Sequence, residues 1–237
     1  MTATVVLVHG GWAGPWIWQE VVDRLADRGV PVRAPQLPSA NATAPTVDFR
    51  TDAGVVREAV AEAGGDVVLA GNSYGGLVIT EAAVDNPSVK RLVYLAAFMP
   101  DAGEAIFELL SAHSAPEFGA AIELGADGLM RAQMDTLLER AMQHAPPEQV
   151  ELARANLGGA MSFGSDFAAK LTQASWRTIP STYVVCTEDR ALKPESQRTW
   201  AKERATDYVE WPSDHCPQSS RPDDVADLLA KLANDIT

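Results

Sequence analysis

The sequence predicts an α/β protein whose core is a doubly wound, mostly parallel sheet of about six strands with helices on both faces. Two observations support this fold class. Short apolar runs, typical of strands that are buried on both faces, alternate with amphipathic helical patterns along the 237 residues. One run, Val67 to Ala70, leads through a Gly-Asn-Ser-Tyr-Gly turn into a helix-compatible apolar stretch, Leu77 to Val84. A chain of this length is expected to form one domain with a small insertion.

Each predicted element follows from the spacing of its apolar residues. Strands are read from short apolar or β-branched runs, and helices from an apolar residue at every third or fourth position. The predicted strands are Thr4 to Val8, Val30 to Ala34, the run from Val67, Arg91 to Ala97, Thr182 to Cys186 and Asp207 to Trp211. The predicted helices beside them are Trp16 to Arg28, a helix over Phe49, Ala53, Val56 and Val60 that ends at Gly64-Gly65, Leu77 to Val84, Glu195 to Arg204, and a closing helix with Val225, Leu228, Leu229, Leu232 and Ile236 on one face. Ligands bind at the C-terminal edge of such a sheet, so the site is expected there.

The alternation of strands and helices stops between Met99 and Ile179, a stretch rich in Ala, Leu, Met, Gln and Glu. We interpret residues 99–179 as a helical cap, inserted into a core formed by residues 1–98 and 180–237. The predicted cap helices are Ala102 to Ala112, Gly128 to Gln143, Pro147 to Leu157 and Asp166 to Ala174. The candidates from this segment for the wall of a substrate pocket are Phe107, Met161 and Phe163. Packing of the cap onto the core would explain the same side chains equally well.

The turn after the Val67 strand predicts a catalytic serine. Gly71-Asn72-Ser73-Tyr74-Gly75 fits the nucleophile-elbow pattern G-x-S-x-G, and it lies between a strand and a helix, the context in which this pattern is informative. The sharp turn would expose the Ser73 hydroxyl at the edge of the sheet. Gly71 and Gly75 suit the turn because a Cβ would crowd it.

A second glycine-rich loop, His9-Gly10-Gly11-Trp12, follows the first strand at the same edge. In hydrolases with an elbow of this kind, one oxyanion donor comes from such a loop and the other from the residue after the nucleophile. The backbone N–H groups of Gly11 and Tyr74 are therefore the predicted oxyanion hole. Trp12, in the same loop, is a predicted substrate contact.

A serine nucleophile needs a base, which in this type of fold follows it in the chain. Of the four histidines, His9 precedes Ser73, and His113 and His144 lie in the predicted cap. His215 lies in the loop after the last strand, at the expected edge of the sheet. His215 is therefore the predicted base.

The orienting carboxylate is expected after the penultimate strand, where Glu188 and Asp189 both lie. We favour Asp189 because it lies in the turn rather than at the end of the strand. Asp101 and Glu104, after the Arg91 strand, are the remaining alternatives. No cluster of metal ligands is visible, and neither a metal nor a cofactor is expected.

Together these motifs resemble the α/β-hydrolase superfamily, and most of all the subgroup of plant methyl esterases, the salicylate-binding esterase and the hydroxynitrile lyases. The resemblance covers nearly the whole chain. The motifs that carry it are Leu7-Val8-His9-Gly10-Gly11, Gly71-Asn72-Ser73-Tyr74-Gly75-Gly76, Phe98-Met99-Pro100-Asp101, Cys186-Thr187-Glu188-Asp189 and Asp214-His215. It implies a triad of Ser73, Asp189 and His215, a helical cap and the cleavage of small esters.

Three positions separate this chain from members of the superfamily. Gly11 and Cys216 stand where the lyases carry a hydroxyl residue and a lysine, which disfavours a cyanohydrin lyase. Ala13 stands where the plant esterases carry a histidine, so their substrate preference transfers less well. In addition, a serine nucleophile rather than an aspartate disfavours dehalogenase and epoxide-hydrolase chemistry.

The sequence therefore predicts a serine hydrolase that cleaves a small, fairly apolar carboxylic ester or lactone through an acyl-enzyme. Two alternatives stay open. One is a different use of the same site, by a lyase, a cyclase or an acyltransferase. The other is a ligand-binding protein on a hydrolase scaffold, which would not need an intact triad.

Composition and charge limit the classes of partner. A formal net charge of −13 at pH 7 disfavours nucleic acids and anionic membranes. Two cysteines, Cys186 and Cys216, are too few for a disulfide scaffold. No secretory signal and no apolar run of membrane-spanning length is visible, so a cytoplasmic protein is expected. The expected partner is a small-molecule ester or lactone, and a homodimer stays open.

Overall fold

The computed structural model describes residues 2–164 and 169–236. Its strands, in chain order, are β1 (Thr4–Val8), β2 (Val32–Arg33), β3 (Val67–Asn72), β4 (Val89–Leu95), β5 (Ile122–Leu124), β6 (Met130–Ala132), β7 (Ser181–Cys186) and β8 (Asp207–Trp211). Six of them form one parallel sheet in the order β2-β1-β3-β4-β7-β8, and β5 and β6 form a separate antiparallel hairpin. The predicted parallel α/β sheet is confirmed.

Helices connect the strands of the sheet. They are α1 (Gln19–Asp27), α2 (Phe49–Ala63), α3 (Gly75–Ala82), α4 (Ile106–His113), α5 (Pro116–Ala120), α6 (Met134–Ala141), α7 (Pro147–Asn156), α8 (Pro194–Glu203), α9 (Pro217–Ser220) and α10 (Pro222–Asp235). The helix predicted from Trp16 is divided into a 3₁₀ turn, Pro15–Trp18, and α1. Among the described residues, no helix has both the length and the apolar character that crossing a membrane requires.

The central strand β3 shows why its sequence is an unbroken apolar run. Val67 and Leu69 belong to the core on the face covered by α2, α3 and α8. Val68 and Ala70 belong to the core on the opposite face, which α1 and α10 cover. Successive side chains of a strand point to opposite faces, so both sets of positions must be apolar when both faces are covered.

The register of the strands brings four loops to one edge of the sheet. Val8 lies beside Gly71, Gly71 beside Tyr94, and Cys186 beside Trp211. Because the strands are parallel, the loops after β1, β3, β7 and β8 all leave from their C-terminal edge. These four loops carry the predicted oxyanion, nucleophile, acid and base residues: Gly11, Ser73, Asp189 and His215.

The described part of the segment 99–179 contains α4 to α7 and the β5–β6 hairpin. The predicted helix Pro147 to Leu157 corresponds to α7. The predicted helix from Ala102 begins only at Ile106, because the chain before it is extended. Ala105 forms an antiparallel bridge with Lys170 there.

The prediction of a single helix over Gly128 to Gln143 is wrong in its first part. Met130–Ala132 is strand β6, and α6 begins only at Met134. Asp127-Gly128 is a hairpin turn signal, and the β5–β6 pairing that it permits overrides the helical spacing of the apolar residues. Gly128 has a φ of +78°, and its N–H donates to the Gly125 carbonyl at 2.9 Å.

The predicted helix Asp166 to Ala174 falls partly on residues 166–168, which lie outside the described residues. Over 169–174 the prediction is wrong. The Ala169 carbonyl accepts the N–H of Ile106 at 3.0 Å, and the N–H of Gly103 donates to the Leu171 carbonyl at 2.8 Å. The chain is extended here because it pairs with the residues around the start of α4.

Candidate active site

Ser73 lies in a strained turn between β3 and α3. Its φ is +55°, a left-handed value that costs energy for a residue with a side chain. Two hydrogen bonds hold the turn: the Ser73 carbonyl accepts the N–H of Gly76 at 3.0 Å and that of Phe98 at 3.2 Å. The side chain is half-buried and lines a cavity at the C-terminal edge of the sheet.

Two glycines permit this turn by allowing close backbone approach. A Cβ on Gly71 would lie 2.6 Å from the Gly75 carbonyl oxygen. A Cβ on Gly75 would lie 2.6 Å from the Val8 carbonyl oxygen. The pattern that identified the serine in the sequence is therefore a steric requirement of the fold.

His215 and Asp189 are joined by a direct hydrogen bond. The Nδ1 of His215 donates to Oδ2 of Asp189 at 2.7 Å, and both residues are buried at 5 % exposure. Because the carboxylate can only accept, this contact places the ring proton on Nδ1 and leaves Nε2 as an acceptor. His215 lines the same cavity as Ser73.

The Asp189 carboxylate is held by three further N–H donors. Its Oδ1 accepts the backbone N–H groups of Ala191 at 2.7 Å and of Leu192 at 2.9 Å. Its Oδ2 also accepts Nε2 of Gln197 at 2.7 Å. Charge-assisted bonds of this kind fix both the position and the plane of the carboxylate.

The alternative acids have other partners. Glu188 is exposed, and its Oε2 lies 3.1 Å from Nε2 of His144. Asp101 pairs with Arg177, whose hydrogen bond lowers the pKa of that carboxyl. Glu104 pairs with Arg204 at 2.7 Å. Of the four candidates, Asp189 is the one that contacts His215.

The predicted oxyanion donors, Gly11 and Tyr74, both line the cavity. Within the described part of the chain, neither of their backbone N–H groups has a hydrogen-bond acceptor. Tyr74 is buried and Gly11 is half-buried, and N–H groups removed from water are rarely left unpaired in proteins. Two such groups on one cavity wall are therefore available to an oxygen atom of a ligand.

His9 holds the loop that carries Gly11. Its Nδ1 donates to the Gly10 carbonyl at 2.8 Å, and its Nε2 accepts the backbone N–H of Leu37 at 3.1 Å. Burial lowers the pKa of His9 to about 4, so the ring is neutral at pH 7. A neutral ring is what this arrangement of one donor and one acceptor requires.

Trp12 joins this loop to the segment 99–179. Its φ is +58°, its indole N–H donates to the Met130 carbonyl at 3.2 Å, and its carbonyl accepts the N–H of Gly158 at 2.7 Å. These contacts hold a bulky residue in a left-handed conformation that it would otherwise avoid.

The cavity has a volume of about 380 Å³. The structure brings all the predicted pocket residues, Trp12, Phe107, Met161 and Phe163, to its wall beside Ser73 and His215. Among the described residues that line it, none is Asp, Glu, Lys or Arg. The rest of the wall is mainly apolar, with contributions from Trp16, Ile17, Phe98, Leu110, Phe118, Ile122, Met130, Leu137, Met142 and Leu157.

Two buried polar residues near the site were missed by the sequence reasoning. Gln197, in α8, is fully buried and binds Asp189. Asp52, in α2, is also fully buried; it accepts hydrogen bonds from the Tyr74 hydroxyl at 2.8 Å and from the Ser39 N–H at 3.1 Å. Burial raises the pKa of Asp52. The sequence does contain a signal for both residues, because each is a polar residue at a position that belongs to the apolar face of its helix. Gln197 lies three positions before Trp200, and Asp52 lies three positions after Phe49.

The described residues offer no metal site. Within residues 2–164 and 169–236, no group of three or more His, Cys, Asp or Glu side chains is arranged to hold a metal ion. Cys186 and Cys216 are buried free thiols, and burial raises the pKa of both.

The chain is similar over nearly its whole length to known alpha/beta hydrolases. The model of the alpha/beta hydrolase family matches residues 5–228. Alpha/beta hydrolase nvfD of Aspergillus novofumigatus is 29 % identical over 245 residues, covering 98 % of this chain and 96 % of that protein. Methylesterase 9 of Arabidopsis thaliana is 29 % identical over 250 residues, covering 97 % of each.

Solved structures agree. A crystal structure of the pyrethroid hydrolase PytH with BIF aligns with a TM-score of 0.82 at 25 % identity, covering 99 % of this chain and 98 % of that one. The predicted resemblance to plant methyl esterases is confirmed, as is the predicted class of enzyme, an ester hydrolase. With a family model that spans nearly its whole length, the chain belongs to the alpha/beta hydrolase family.

Proposed function

We propose that this protein is a serine esterase that cleaves neutral, fairly apolar carboxylic esters or lactones through an acyl-enzyme. One observation carries the proposal: the 2.7 Å bond between His215 Nδ1 and Asp189 Oδ2 lies beside a cavity whose wall also holds the strained Ser73. This arrangement supports a nucleophile, a base and an orienting carboxylate in the chain order of the family.

The first half of the reaction forms the acyl-enzyme. Nε2 of His215 takes the proton of Ser73 as the hydroxyl oxygen attacks the acyl carbonyl. Asp189 keeps the ring in the required tautomer and stabilises the imidazolium without taking the proton. The N–H groups of Gly11 and Tyr74 bind the negative oxygen of the tetrahedral intermediate.

Collapse of this intermediate completes the acyl-enzyme, and hydrolysis then releases the acid. His215 gives its proton to the leaving alcohol, so that the C–O bond breaks and the acyl group stays on Ser73. Water then attacks the acyl-enzyme with His215 again as base, and Ser73 recovers its proton. In a lactone the alcohol and acid are parts of one product.

The cavity wall supports the choice of substrate class. Transfer of a charged group into an apolar site without a partner is costly, and the described lining offers no Asp, Glu, Lys or Arg. Substrates that are neutral in both their acid and alcohol parts are therefore favoured. A volume of about 380 Å³ suits a small molecule.

The segment 99–179 acts as the cap in this proposal. It contributes Phe107, Met161 and Phe163 to the cavity wall. The division into a core of 1–98 and 180–237 with this cap stays a prediction. A location in the cytoplasm likewise stays a prediction from the sequence, and a homodimer stays open.

Steady-state hydrolysis of short-chain p-nitrophenyl esters tests the proposal. Wild-type turnover should disappear in Ser73→Ala, because no other group can form the acyl-enzyme. The matched control is Ser88→Ala, which removes a hydroxyl at the opposite edge of the sheet, before β4, and should keep full activity. Esterase activity that survives in a folded Ser73→Ala would refute the assignment.

A further inference from the structure

A buried side-chain amide connects the strand that carries Ser73 with the loop that carries His215. Asn72 is the last residue of β3 and immediately precedes Ser73. Its Nδ2 donates to the Leu95 carbonyl at 2.9 Å and to the His215 carbonyl at 3.0 Å, across 143 positions of the chain in the second case. Asn72 is 2 % exposed, so water does not compete for these bonds.

A second amide fixes the direction in which the Asn72 side chain is turned. Gln218, in α9, is fully buried, and its Nε2 donates to Asn72 Oδ1 at 3.1 Å. A flipped Asn72 amide would turn its oxygen toward two carbonyl oxygens and its nitrogen toward a donor. Each buried polar group that loses its partner costs about 1–3 kcal/mol. Gln218 therefore stabilises the orientation that reaches His215.

We propose that Asn72 is a positioning residue for the base. Asp189 holds the ring of His215 through Nδ1, and Asn72 holds its main chain through the carbonyl oxygen. A single bond to the ring would let the imidazole rotate about that contact, whereas two separate anchors fix where Nε2 points. Because Asn72 is bonded covalently to Ser73, it sets the base relative to the nucleophile. The inference rests on the proposed function, in which His215 is that base.

Asn72 also lines the cavity, which raises a direct contact with substrate as the competing role. Both of its N–H groups are already used within the protein, and its oxygen accepts from Gln218. An amide has two N–H donors, so no donor remains for a ligand. The contacts therefore favour positioning over binding.

The test compares Asn72→Ala with Ser175→Ala. Ser175 is a matched control because it is also buried, at 4 % exposure, and its Oγ donates to a main-chain carbonyl, that of Thr80, at 2.8 Å. Misplacement of a catalytic group by about 1 Å can cost a hundredfold, so we expect kcat to fall about 10- to 100-fold in Asn72→Ala. KM should stay within about twofold, since ground-state binding is not removed. Ser175→Ala should lose stability without loss of kcat.

A second variant, Gln218→Ala, tests the proposal without changing Asn72 itself. Gln218→Ala should lower kcat less than Asn72→Ala does, because Asn72 keeps both of its carbonyl acceptors. The double variant should equal Asn72→Ala, since Gln218 acts through Asn72. If Asn72→Ala does not fold, Gln218→Ala alone decides the question by its effect on kcat and on the signal described next.

A spectroscopic readout does not depend on turnover. The proton that His215 Nδ1 donates to Asp189 gives a proton NMR signal, which should broaden or shift in Asn72→Ala and stay unchanged in Ser175→Ala. The proposal is overturned if Asn72→Ala loses stability as Ser175→Ala does while kcat and this signal stay as in the wild type. Failure of the proposed function would be seen separately, as esterase activity in Ser73→Ala.

Discussion

Two regions of the molecule build the cavity wall, and different forces hold their side chains in place. At the edge of the sheet, buried hydrogen bonds hold His215, Asn72 and Asp189, and the Asp189 carboxylate alone accepts four N–H donors. The segment 99–179 contributes apolar side chains such as Phe107 and Met161. Hydrogen bonds require defined distances and angles, whereas apolar contacts depend mainly on volume and shape. In the proposed esterase, the edge therefore sets the geometry of the reaction, and the segment sets the space available to a substrate.

The largest effect is expected at the edge of the sheet, from Asp189→Asn. The amide keeps the shape of the carboxylate but favours the wrong tautomer of His215, so kcat should fall about 10⁴-fold. The matched control is Glu188→Gln, at the neighbouring exposed carboxylate that pairs with His144. An exposed pair contributes little, so this control should change kcat by less than about threefold. A greater loss in Glu188→Gln than in Asp189→Asn would make Glu188 the acid.

A smaller but measurable effect should appear in stability, through His9. Its pKa in the folded protein is about 4, below the ordinary value of 6.5. The unfolded chain therefore takes up the proton first, and the free energy of unfolding should fall by about 3 kcal/mol as the pH drops from 6.5 to 4. At higher pH this contribution is fully present.

Chemical denaturation at several pH values measures this contribution. His9→Asn has no titrating group at that position, so its stability should depend less on pH over the same interval. Equal slopes for the two proteins would show that His9 is not the group responsible. The conclusion that a neutral His9 ring holds the Gly11 loop would then be wrong.

The smallest effect on the chemistry is expected from the segment 99–179. Phe107→Ala widens the cavity at a half-buried position of α4, while Glu108→Ala changes an exposed neighbour on the same helix. A change of pocket volume by one or more methylene groups shifts substrate discrimination by about 10-fold or more. We expect Phe107→Ala to raise kcat/KM for bulky p-nitrophenyl esters relative to acetate, with little change in kcat for acetate. If Phe107→Ala lowered kcat for acetate as much as Asp189→Asn does, the segment 99–179 would affect the chemistry itself and not only the space for a substrate.

The same two regions differ in how far the sequence predicts them. The bounds of β1 agree with the prediction, because a buried parallel strand leaves an apolar run in the sequence. The bounds of β8 agree as well, although this edge strand is mostly exposed. In the segment 99–179, the Asp127-Gly128 turn and the pairing of Ala105 with Lys170 override helical patterns of apolar residues. Short elements that depend on partners far away in the chain are poorly specified by local periodicity.

The residues of the candidate site also differ in how far the sequence predicts them. The elbow pattern and the chain order suffice to propose Ser73 as nucleophile and His215 as base, since the fold determines where both residues lie. The supporting residues Gln197 and Asn72 could not be assigned a role, because their partners lie on other elements of the fold. What the sequence does offer for Gln197 is its polar character on the apolar face of α8.

The hydrogen bonds that hold Trp12 in its left-handed conformation limit how the segment 99–179 can be exchanged in protein engineering. Exchange of the segment 99–179 between homologues would replace the apolar side chains that it contributes to the cavity wall. Here the main chain of that segment, at Met130 and Gly158, holds the loop of Trp12, which directly follows Gly11. A chimera that replaced the segment alone would put these contacts at risk, and with them the proposed oxyanion donor Gly11, so the loop after β1 and the segment should be transplanted as one unit.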